Sequence, residues 1–493
     1  MKHFDALLNS VTMYRLLVYG LGGVAFASIL FAAFGLVALD PLKMLISLIV
    51  LGGSVFSTEY VLSKVWGRPM NMESWAITSL ILFFIVSPAK SELSVVILAL
   101  AGIIASSSKF LIAWKGKHVF NPAAFAAAAL SLTGIWPVTW WIGSTALAWL
   151  TIPLGIAVIR KLHHETFALI FIGVAVLVQA VQFISAGQLS LGNFEHAIIA
   201  SPLIFLASIM LTEPATMPAR YRDQLIFSGV VAFLYMTAWE FGPLYIFPEV
   251  ALLLGNTYAF IVSPKVFVAL RLRRVEHMAS NISNFVFQAE TPFAYKAGQY
   301  MEWTLPGVAL DGRGNRRMFT LASSPTENEV HLGVKFYEPS SAYKLRLSQL
   351  QDNDVVYVSQ LTGKFTLPKN QNKKLAFIAG GIGVTPFRSM IRSILDSHEP
   401  RDVVLIYSVA NEQEVVYRDL LNEALQYGIA VHLIITTAQQ RLDAESISRL
   451  IPDYSQRLFY VSGSNGMVDA AKKHLKSLGL SRFAIKTDHF SGY

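Results

Sequence analysis

The pattern of hydrophobic and polar positions changes once along this chain, near Lys265. From Leu16 to Val262 the sequence is a series of apolar runs of about 20 residues, separated by short polar or Pro/Gly breaks. After Lys265, short apolar runs alternate with polar stretches, as in globular domains. We therefore expect a transmembrane helical domain over residues 1–265 and globular domains over residues 266–493.

The apolar runs predict about ten membrane-spanning helices. Their expected centres lie near Val24, Leu51, Leu80, Leu98, Ala127, Trp149, Val174, Phe205, Ala232 and Leu254. The first run has no convincing cleavage site after it, so Leu16 to Leu39 is expected to remain as a span. With a cytoplasmic N-terminus, most Lys and Arg residues of the connections fall on the inner side, and the outer side receives little more than Lys43 and Lys90. This alternation predicts a multi-pass protein of the cell inner (cytoplasmic) membrane with both termini in the cytoplasm.

Composition excludes several function classes. A hydrophobic fraction of 54%, a charged fraction of 15% and a mean hydropathy of +0.48 are unusual for a soluble protein of 493 residues. The net charge of +8 follows mainly from the inner connections, so it does not indicate nucleic acid as a partner. Because the chain has no cysteine, it forms no disulfide and holds no iron–sulfur cluster through its own thiolates. No metal site is expected, and electrons would travel on organic cofactors or haem.

The stretch LAFIAGGIGVTPFRSMIRSIL, residues 375–395, predicts a strand, a glycine-rich turn and a helix. Thr385 is expected to cap that helix, with Pro386 at its first position. Gly380, Gly381 and Gly383 carry no Cβ, so a pyrophosphate can approach the backbone amides and the positive end of the helix. The third glycine of the strict dinucleotide fingerprint is missing, so the turn alone also fits a connection that binds nothing.

A second motif, RRMFTLASSP, lies upstream on an expected strand. Arg317 is suited to pair with a diphosphate, Phe319 to stack on a flat ring, and Thr320 to bond a ring nitrogen. An Arg-x-Phe-Thr sequence by itself is more typical of an ordinary strand surface. The order of this motif and the others along the chain carries the resemblance to a known family.

From Val266 to Tyr493 the chain resembles the ferredoxin-NADP⁺ reductase superfamily. The matching pieces, in family order, are AGQY at Ala297, RMFTLASSP at Arg317, PSSAYKLRL at Pro339, TGKF at Thr362, AGGIGVTP at Ala379, YVSGSNGMV at Tyr460 and TDHFSGY at Thr487. The resemblance implies an FAD-binding antiparallel β-barrel over residues 266–370 and an α/β domain over 371–493 that binds the nicotinamide nucleotide. Hydride would pass from the nicotinamide to the flavin.

The resemblance also assigns site residues. It assigns FAD contacts to Arg317, Phe319, Thr320, Leu321, Ser340 and Ser341. It assigns nicotinamide-nucleotide contacts to Gly380, Gly381, Gly383, Thr385, Pro386, Gly463 and Met467. Thr320, Ser462 and Tyr493 are expected at the hydride-transfer site. Ser462 replaces a cysteine found in many members, Ser464 and Asn465 replace the usual proline pair, and Tyr493 either stacks over the flavin or merely ends a strand.

The choice between NADH and NADPH depends on contacts to the ribose 2′ position, where a carboxylate favours the hydroxyl of NADH. Glu412 and Glu414 follow the expected strand VVLIYSVA and favour NADH. Ser408 with Arg418 is the weaker signal for NADPH. All four residues also fit a solvated helix start.

The membrane half has a less specific resemblance. KGKHVFNPAAFA from Lys115, WIGSTALAWL from Trp141 and LTEPATMPAR from Leu211 look like the integral flavin-carrying membrane proteins of the Rnf complexes and of sodium-translocating NADH:quinone reductase. Those relatives carry a flavin in the helical bundle, often FMN joined to a threonine, which implies FMN or riboflavin near Thr145. The acidic, glycine-containing context of that attachment is missing, and the small residues around Thr145 equally fit close helix packing.

Polar residues at the inner ends of the expected spans predict a second site. Asn121 and Pro214 interrupt helices, and Lys109 and Glu213 are polar groups that are costly in lipid. We take Lys109, Asn121 and Thr216 as candidates to hold a second flavin or a quinone head group. The same side chains also fit the inner membrane surface, which long side chains can reach.

The sequence thus predicts a membrane-bound flavin oxidoreductase that passes electrons from NADH through FAD to a bundle flavin, a quinone or both. Further electron-transport proteins are expected as partners. Glu59 and Glu240 leave redox-driven Na⁺ or H⁺ translocation open. A ferric- or oxygen-reductase type of electron transfer needs a haem-binding histidine pair, which His118, His163, His164 and His196 do not offer in this topology. A bundle that only anchors the reductase is the remaining alternative.

Overall fold

The computed structural model describes residues 8, 11–66, 70, 72–114, 117–162, 164–188, 190–241, 244–263, 266–306, 315–436 and 442–490. The chain divides into two compact units, and the main boundary falls between Lys265 and Val266. Tyr493 and His163 lie outside the described residues. The first unit is helical and the second consists of two sheets with flanking helices.

The helices of the first unit are α1 (Met13–Ala33), α2 (Pro41–Val65), α3 (Met72–Ile85), α4 (Glu92–Leu111), α5 (Pro122–Thr133), α6 (Thr145–Leu162), α7 (Glu165–Ser185), α8 (Leu191–Ile199), α9 (Leu203–Phe205, continued by a π-helical turn Leu206–Met210), α10 (Tyr221–Thr237) and α11 (Pro248–Val262). Two hairpins join them: β1 (Ala113–Trp114) with β2 (Lys117–His118), and β3 (Glu240–Phe241) with β4 (Leu244–Tyr245).

Local sequence explains several helix ends. Asp40 accepts hydrogen bonds from the amides of Leu42 and Lys43 at 2.9 and 3.1 Å, and Pro41 opens α2. Asn121 caps α5 in the same way, through the amide of Ala124 at 3.0 Å. A proline directly after a side-chain cap therefore starts both helices.

Helix length separates the expected spans into two classes. Within the described residues, α1, α2, α4, α6 and α7 are long and apolar enough to cross a membrane, and the bent pair of α8 with α9 adds a sixth if it is one span. The apolar helices α3, α5 and α11 have 14, 12 and 15 residues. At 1.5 Å per residue these are about 18–22 Å long, shorter than a hydrocarbon core of about 30 Å.

All ten expected span centres lie in helices, but ten complete spans are not supported. The difference has a physical reason. In α3, every residue from Thr78 to Ile85 is buried inside the unit, so its apolarity serves packing against neighbouring helices. Hydropathy locates such segments without showing whether they meet lipid or protein.

The second unit begins with a six-stranded antiparallel sheet. Its strands are β5 (Phe267–Ala279), β6 (Ile282–Ala289), β7 (Tyr300–Thr304), β8 (Arg316–Thr320), β9 (Val330–Lys335) and β10 (Val355–Thr362), and a short helix α12 (Ala342–Ser348) precedes β10. The order is β8-β7-β10-β5-β6-β9. Trp303, Phe285 and Phe287 are fully buried in its core. The antiparallel sheet expected in this segment is confirmed.

A five-stranded parallel sheet follows. Its strands are β11 (Leu375–Gly380), β12 (Val403–Val409), β13 (Ala430–Ile435), β14 (Leu458–Ser464) and β15 (Ile485–Phe490), and its helices are α13 (Thr385–Asp396), α14 (Arg418–Gln426), α15 (Ala444–Leu450) and α16 (Asn465–Ser477). The order β13-β12-β11-β14-β15 places β11 at the centre, where the direction of strand succession reverses. Ligands of such sheets bind outside the carboxyl ends of the strands at this point.

One local prediction about the glycine-rich turn is wrong. The turn Gly381–Val384 is a 3₁₀ helix that runs directly into α13, so Val384 occupies the cap position. Thr385 is already helical, and its hydroxyl donates back to the carbonyl of Ile382 at 3.1 Å. A continuous turn leaves no extended residue from which Thr385 could cap the helix.

Candidate nucleotide and electron-transfer site

The glycine-rich turn lies against the end of β14, and the two backbones touch. A Cβ added to Gly383 would lie 2.6 Å from both the Cα of Gly463 and the carbonyl oxygen of Ser462. Gly381 adopts a positive φ of +54°, which a side chain disfavours. Gly383 is therefore required for close approach and Gly381 for its backbone conformation. Both lie at the sheet edge formed by the carboxyl ends of β11 and β14.

Met467, in the first turns of α16, packs over the same edge. A Cβ on Gly380 would lie 3.0 Å from its sulfur, and a Cβ on Gly463 3.1 Å. Thr385 and Pro386 are buried at the start of α13. The structure thus brings together the predicted nicotinamide-nucleotide residues Gly380, Gly381, Gly383, Thr385, Pro386, Gly463 and Met467.

The predicted FAD residues lie on and after β8. Arg317 is 7% exposed, and its guanidinium lies 5.0 Å from the ring centre of Tyr343, while Phe319 is 5.9 Å from the same ring. Leu321 is buried and its amide donates to the carbonyl of Gln299 at 3.0 Å. A buried cation beside aromatic rings is a suitable environment for a diphosphate attached to a flat ring system.

The two predicted serines differ in their surroundings. The hydroxyl of Ser341 is buried and accepts a hydrogen bond from the amide of Lys344 at 3.3 Å, capping α12. Ser340 is half-buried, and its hydroxyl donates to the carbonyl of Tyr337 at 2.7 Å. Ser341 is therefore enclosed by the start of the helix, whereas Ser340 remains partly accessible.

Two residues that sequence reasoning missed, Tyr300 and Asp488, are strand partners of two of the three predicted catalytic residues. Thr320 is paired with Tyr300 across β8 and β7, and Ser462 is paired with Asp488 across β14 and β15. Burial, and to a smaller extent the Asp488 carboxyl, raise the pKa of Tyr300 to about 12, so Tyr300 and Asp488 interact electrostatically. The strand partner of Thr320 thus interacts with the strand partner of Ser462.

Burial gives Asp488 an unusual protonation behaviour. Loss of solvent raises the pKa of its carboxyl to about 6, and a hydrogen bond from the backbone of His489 opposes the rise. Its Oδ2 and the Ser462 hydroxyl are buried atoms without a hydrogen-bond partner among the described residues. The sequence signal that could have identified Asp488 is an acidic residue in the motif TDHF of the last strand, which pairs with the uncharged strand β14.

This site passes a simple test of fit for FAD and a nicotinamide nucleotide. Unsatisfied buried polar atoms are rare in folded proteins, and here Ser462 and Asp488 provide two toward the carboxyl ends of β14 and β15. A Cβ added to Gly381 would meet no atom within 4 Å, so this position leaves room for a phosphate group, and Arg317 supplies a cation. The residues present therefore suit both groups.

Contacts between the two sheets fix this edge. Arg388 in α13 pairs with Glu327, which follows β8, and the hydroxyl of Ser389 donates to the carbonyl of Ser323 at 2.5 Å. Lys335 at the end of β9 pairs with Glu414 at 2.7 Å. The Glu414 carboxylate is therefore held in this ion pair, whereas the Glu412 side chain is 79% exposed. Of the two carboxylates predicted to select NADH, Glu412 is the accessible one.

The helical unit contains a second polar cluster, centred on Glu213. His118 lies 3.1 Å from its Oε1, and the Asn121 amide and the Thr216 hydroxyl both donate to its Oε2 at 2.9 Å. Asn256 connects Asn121 with Thr216. Its side-chain oxygen accepts from the backbone N–H of Asn121 at 2.9 Å, and its side-chain nitrogen donates to the Thr216 carbonyl at 3.2 Å. The structure therefore brings together the predicted residues Asn121 and Thr216.

A small cleft opens beside this cluster, lined by His118, Val119, Ala215, Thr216, Met217, Ala259 and Phe260, and its room of about 10 Å³ is about that of one water molecule. Pockets for drug-sized ligands measure about 300–1,000 Å³. As it stands, the cleft is too small for either ligand predicted for this site, a flavin or a quinone head group.

Two other predicted residues of the helical unit lie elsewhere. Lys109 is held by Glu59 at 2.6 Å and by the Ser74 hydroxyl at 2.9 Å, in a buried ion pair among α2, α3 and α4. Its ammonium group is therefore neutralised within the protein. Thr145 is an exposed residue at the start of α6, so its hydroxyl is accessible but the described part of the chain does not enclose it in a flavin pocket.

Comparison with known proteins supports the assignment of the second unit. Residues 377–473 match the model of the oxidoreductase NAD-binding domain family. The chain is 28% identical over 205 residues to an NADPH oxidoreductase of Mycobacterium tuberculosis, covering 39% of this chain and 53% of that protein. It is 33% identical over 147 residues to the phenol 2-monooxygenase reductase component DmpP of a Pseudomonas species, covering 30% and 40%.

Another relative is the NADH oxidoreductase HCR of Escherichia coli, 26% identical over 39% of this chain and 58% of that protein. A solved ferredoxin NADP⁺ reductase of Neisseria gonorrhoeae with bound FAD and NADP aligns with a TM-score of 0.40 and 18% identity, over 46% of this chain and 99% of that one. The chain spans about half the length of the curated relatives it matches. The predicted oxidoreductase class and its nicotinamide-nucleotide module agree with these names, and the comparisons do not bear on the resemblance of the helical half.

Proposed function

We propose that this chain is a membrane-bound NADH-dependent oxidoreductase that passes electrons through FAD to an acceptor held by its helical unit. The observation that carries the proposal is the electrostatic interaction between Tyr300, the strand partner of Thr320 in one sheet, and Asp488, the strand partner of Ser462 in the other. The relatives named as NADH or NADPH oxidoreductases and as reductase components support the same class.

The residues of the two sheets would have separate tasks. Arg317 would neutralise the FAD diphosphate, and Thr320 would hold the edge of the flavin ring. The turns around Gly383 and Gly463 would receive the nicotinamide nucleotide. Bound FAD supplies the chemistry that converts a two-electron hydride into single electrons. Ser462 and Asp488 would orient the ring and exchange a proton at the Asp488 carboxyl, since its pKa of about 6 permits both protonation states near neutral pH.

The helical unit would supply the acceptor site. We place a quinone head group at the Glu213 cluster, because His118 and the Thr216 side chain present polar atoms beside apolar Val119 and Phe260; the cleft of about 10 Å³ would have to widen to admit it. FMN or riboflavin near Thr145 would be a further electron carrier, and the exposed hydroxyl permits attachment. The five or six long apolar helices support a location in a membrane, which we take to be the cytoplasmic membrane.

The experiment uses the full chain in detergent under anaerobic conditions. NADH should bleach the FAD absorbance, and a water-soluble quinone analogue added next should restore it. Arg317→Ala should lower the FAD content per chain, whereas Arg273→Ala, which changes an exposed arginine on β5, should not. Equal FAD content in both variants would contradict the site.

A second pair of variants separates the helical site from the reductase. Thr216→Val removes a donor to Glu213, while Thr257→Val changes an exposed threonine of α11. We expect Thr216→Val to slow reoxidation by the quinone analogue with NADH bleaching unchanged, and Thr257→Val to alter neither rate. Reoxidation that is equally fast in both variants would remove the quinone assignment and leave the NADH:FAD assignment intact.

A further inference from the structure

The helical unit buries several carboxyl groups, and Glu249 differs from Glu59 and Glu213 in its surroundings. Glu59 pairs with Lys109 at 2.6 Å, and Glu213 lies 3.1 Å from His118. Glu249, the second residue of α11, is 1% exposed, and no charged side chain of the described residues faces it. It is therefore a buried acid in uncharged surroundings.

The contacts of Glu249 satisfy only half of its carboxyl group. Its Oε2 accepts a hydrogen bond from the Trp140 indole at 2.9 Å, and its buried Oε1 has no partner at hydrogen-bond distance in the part of the chain that the structure describes. Ser131, near the end of α5, provides the other polar side chain that faces it. The following residues Ala251 and Leu252 are fully buried apolar side chains.

The physical balance favours the neutral form. An isolated carboxylate removed from water loses its hydration, and proteins usually avoid that cost by protonating the group. The Trp140 N–H, the Ser131 hydroxyl and the start of α11 favour the anion. None of them lies at hydrogen-bond distance from Oε1, so the anion would keep an unsatisfied charged oxygen in a buried place. Protonation removes that charge.

We propose that Glu249 is a proton-binding site inside the helical unit, with Oε1 carrying the proton and the side chain remaining a neutral carboxylic acid at neutral pH. The ligand is H⁺. A hard metal cation needs about six oxygen ligands, and the described residues offer one carboxyl oxygen and one hydroxyl at this place. The site stands independently of the proposed electron acceptor and gives the helical unit a group that can take up or release a proton when nearby charge changes.

Infrared spectroscopy of the full chain in detergent at pH 7 tests the protonation state directly. The wild type should show the carbonyl band of a protonated carboxyl group, with its characteristic shift in D₂O. The band should be lost in Glu249→Gln and retained in Glu92→Gln, which changes an exposed glutamate in the first turn of α4. A wild-type spectrum without this band, or a band that survives in Glu249→Gln, would overturn the proposal.

Stability as a function of pH gives an independent test. Above the ordinary pKa of a glutamate, the unfolded chain releases the proton of Glu249. If the folded protein keeps that proton, the stability of the wild type falls as pH rises. The folding equilibrium constant of Glu249→Gln relative to wild type should then grow by about tenfold per pH unit between pH 5 and neutral pH. Glu92→Gln should show no such trend. A ratio for Glu249→Gln that is independent of pH means that Glu249 is ionised in the folded protein.

Discussion

The two units of this chain treat their buried charges differently. In the second unit, the Asp488 Oδ2 and the Ser462 hydroxyl are buried toward the carboxyl ends of β15 and β14 without a hydrogen-bond partner among the described residues. In the helical unit, Lys109 and Glu59 complete each other in a buried ion pair. The difference teaches that a buried polar residue indicates a binding site only when the protein leaves part of it open to a ligand.

The largest expected effect breaks the closed pair in the helical unit. Lys109→Met leaves Glu59 buried without its cation, and removing one partner of a buried pair costs about 3–5 kcal/mol. The double variant Glu59→Gln/Lys109→Met should recover most of that stability. Thermal unfolding in detergent measures both. Equal destabilisation of single and double variants would show that the pair does not stabilise the unit through mutual neutralisation.

The next effect concerns the contact between the glycine-rich turn and the end of β14 in the second unit. Gly383→Ala places a Cβ 2.6 Å from backbone atoms of Ser462 and Gly463, so the two turns must separate. Because small displacements at a hydride-transfer site can cost about 100-fold in rate, we expect a loss of that order in NADH-dependent FAD bleaching. Gly466→Ala, with no atom within 4 Å of the added carbon, is the control. Similar rates in the two variants would remove the turn contact from the site.

A smaller effect is expected from the unsatisfied acid. Folded Asp488 has a pKa of about 6, against an ordinary value of 3.8, so its protonated state stabilises the fold below pH 4 and this stabilisation is lost as pH rises through 6. Asp488→Asn should match wild type below pH 4 and exceed its stability by about 1–3 kcal/mol above pH 7. The control Asp469→Asn changes an exposed residue of α16. Denaturation midpoints across this range measure the difference, and a constant offset would contradict the raised pKa.

The smallest effect sharpens nucleotide choice. Glu412→Gln removes a largely exposed carboxylate that we expect to bond the ribose 2′-hydroxyl of NADH. The preference for NADH over NADPH, measured as the ratio of kcat/KM values, should fall about fivefold, corresponding to about 1 kcal/mol. Glu445→Gln, an exposed glutamate in α15, should leave the ratio unchanged. An unchanged ratio in Glu412→Gln would assign the choice to another residue.

The site was most predictable from sequence where chemistry restricts single positions. The glycines of the 379–386 turn and the residues of the β8 motif lie where strand and turn patterns placed them, because each requirement is local. Tyr300 and Asp488 were missed because their importance comes from neighbours far apart in the sequence. The pairing of Lys109 with Glu59 was missed for the same reason.

The number of complete spans illustrates a second limit. The apolar runs near Leu80, Ala127 and Leu254 are as hydrophobic as spans, but they form helices of 14, 12 and 15 residues. Proline and cap residues such as Asn121 and Pro248 set where two of them begin. Hydropathy averages over such residues and therefore overestimates helix length.

The most direct test of the proposed electron path is the flavin inventory of the detergent-purified full chain, with acid-released flavins identified by chromatography and the denatured protein checked for attached fluorescence. We predict about one FAD per chain, bleached by NADH, and electrons that continue to a second flavin or to an added quinone. FMN or riboflavin, released or attached near Thr145, would make the helical unit an electron conduit. A chain that binds no FAD, or whose FAD does not respond to NADH, would contradict the proposed function.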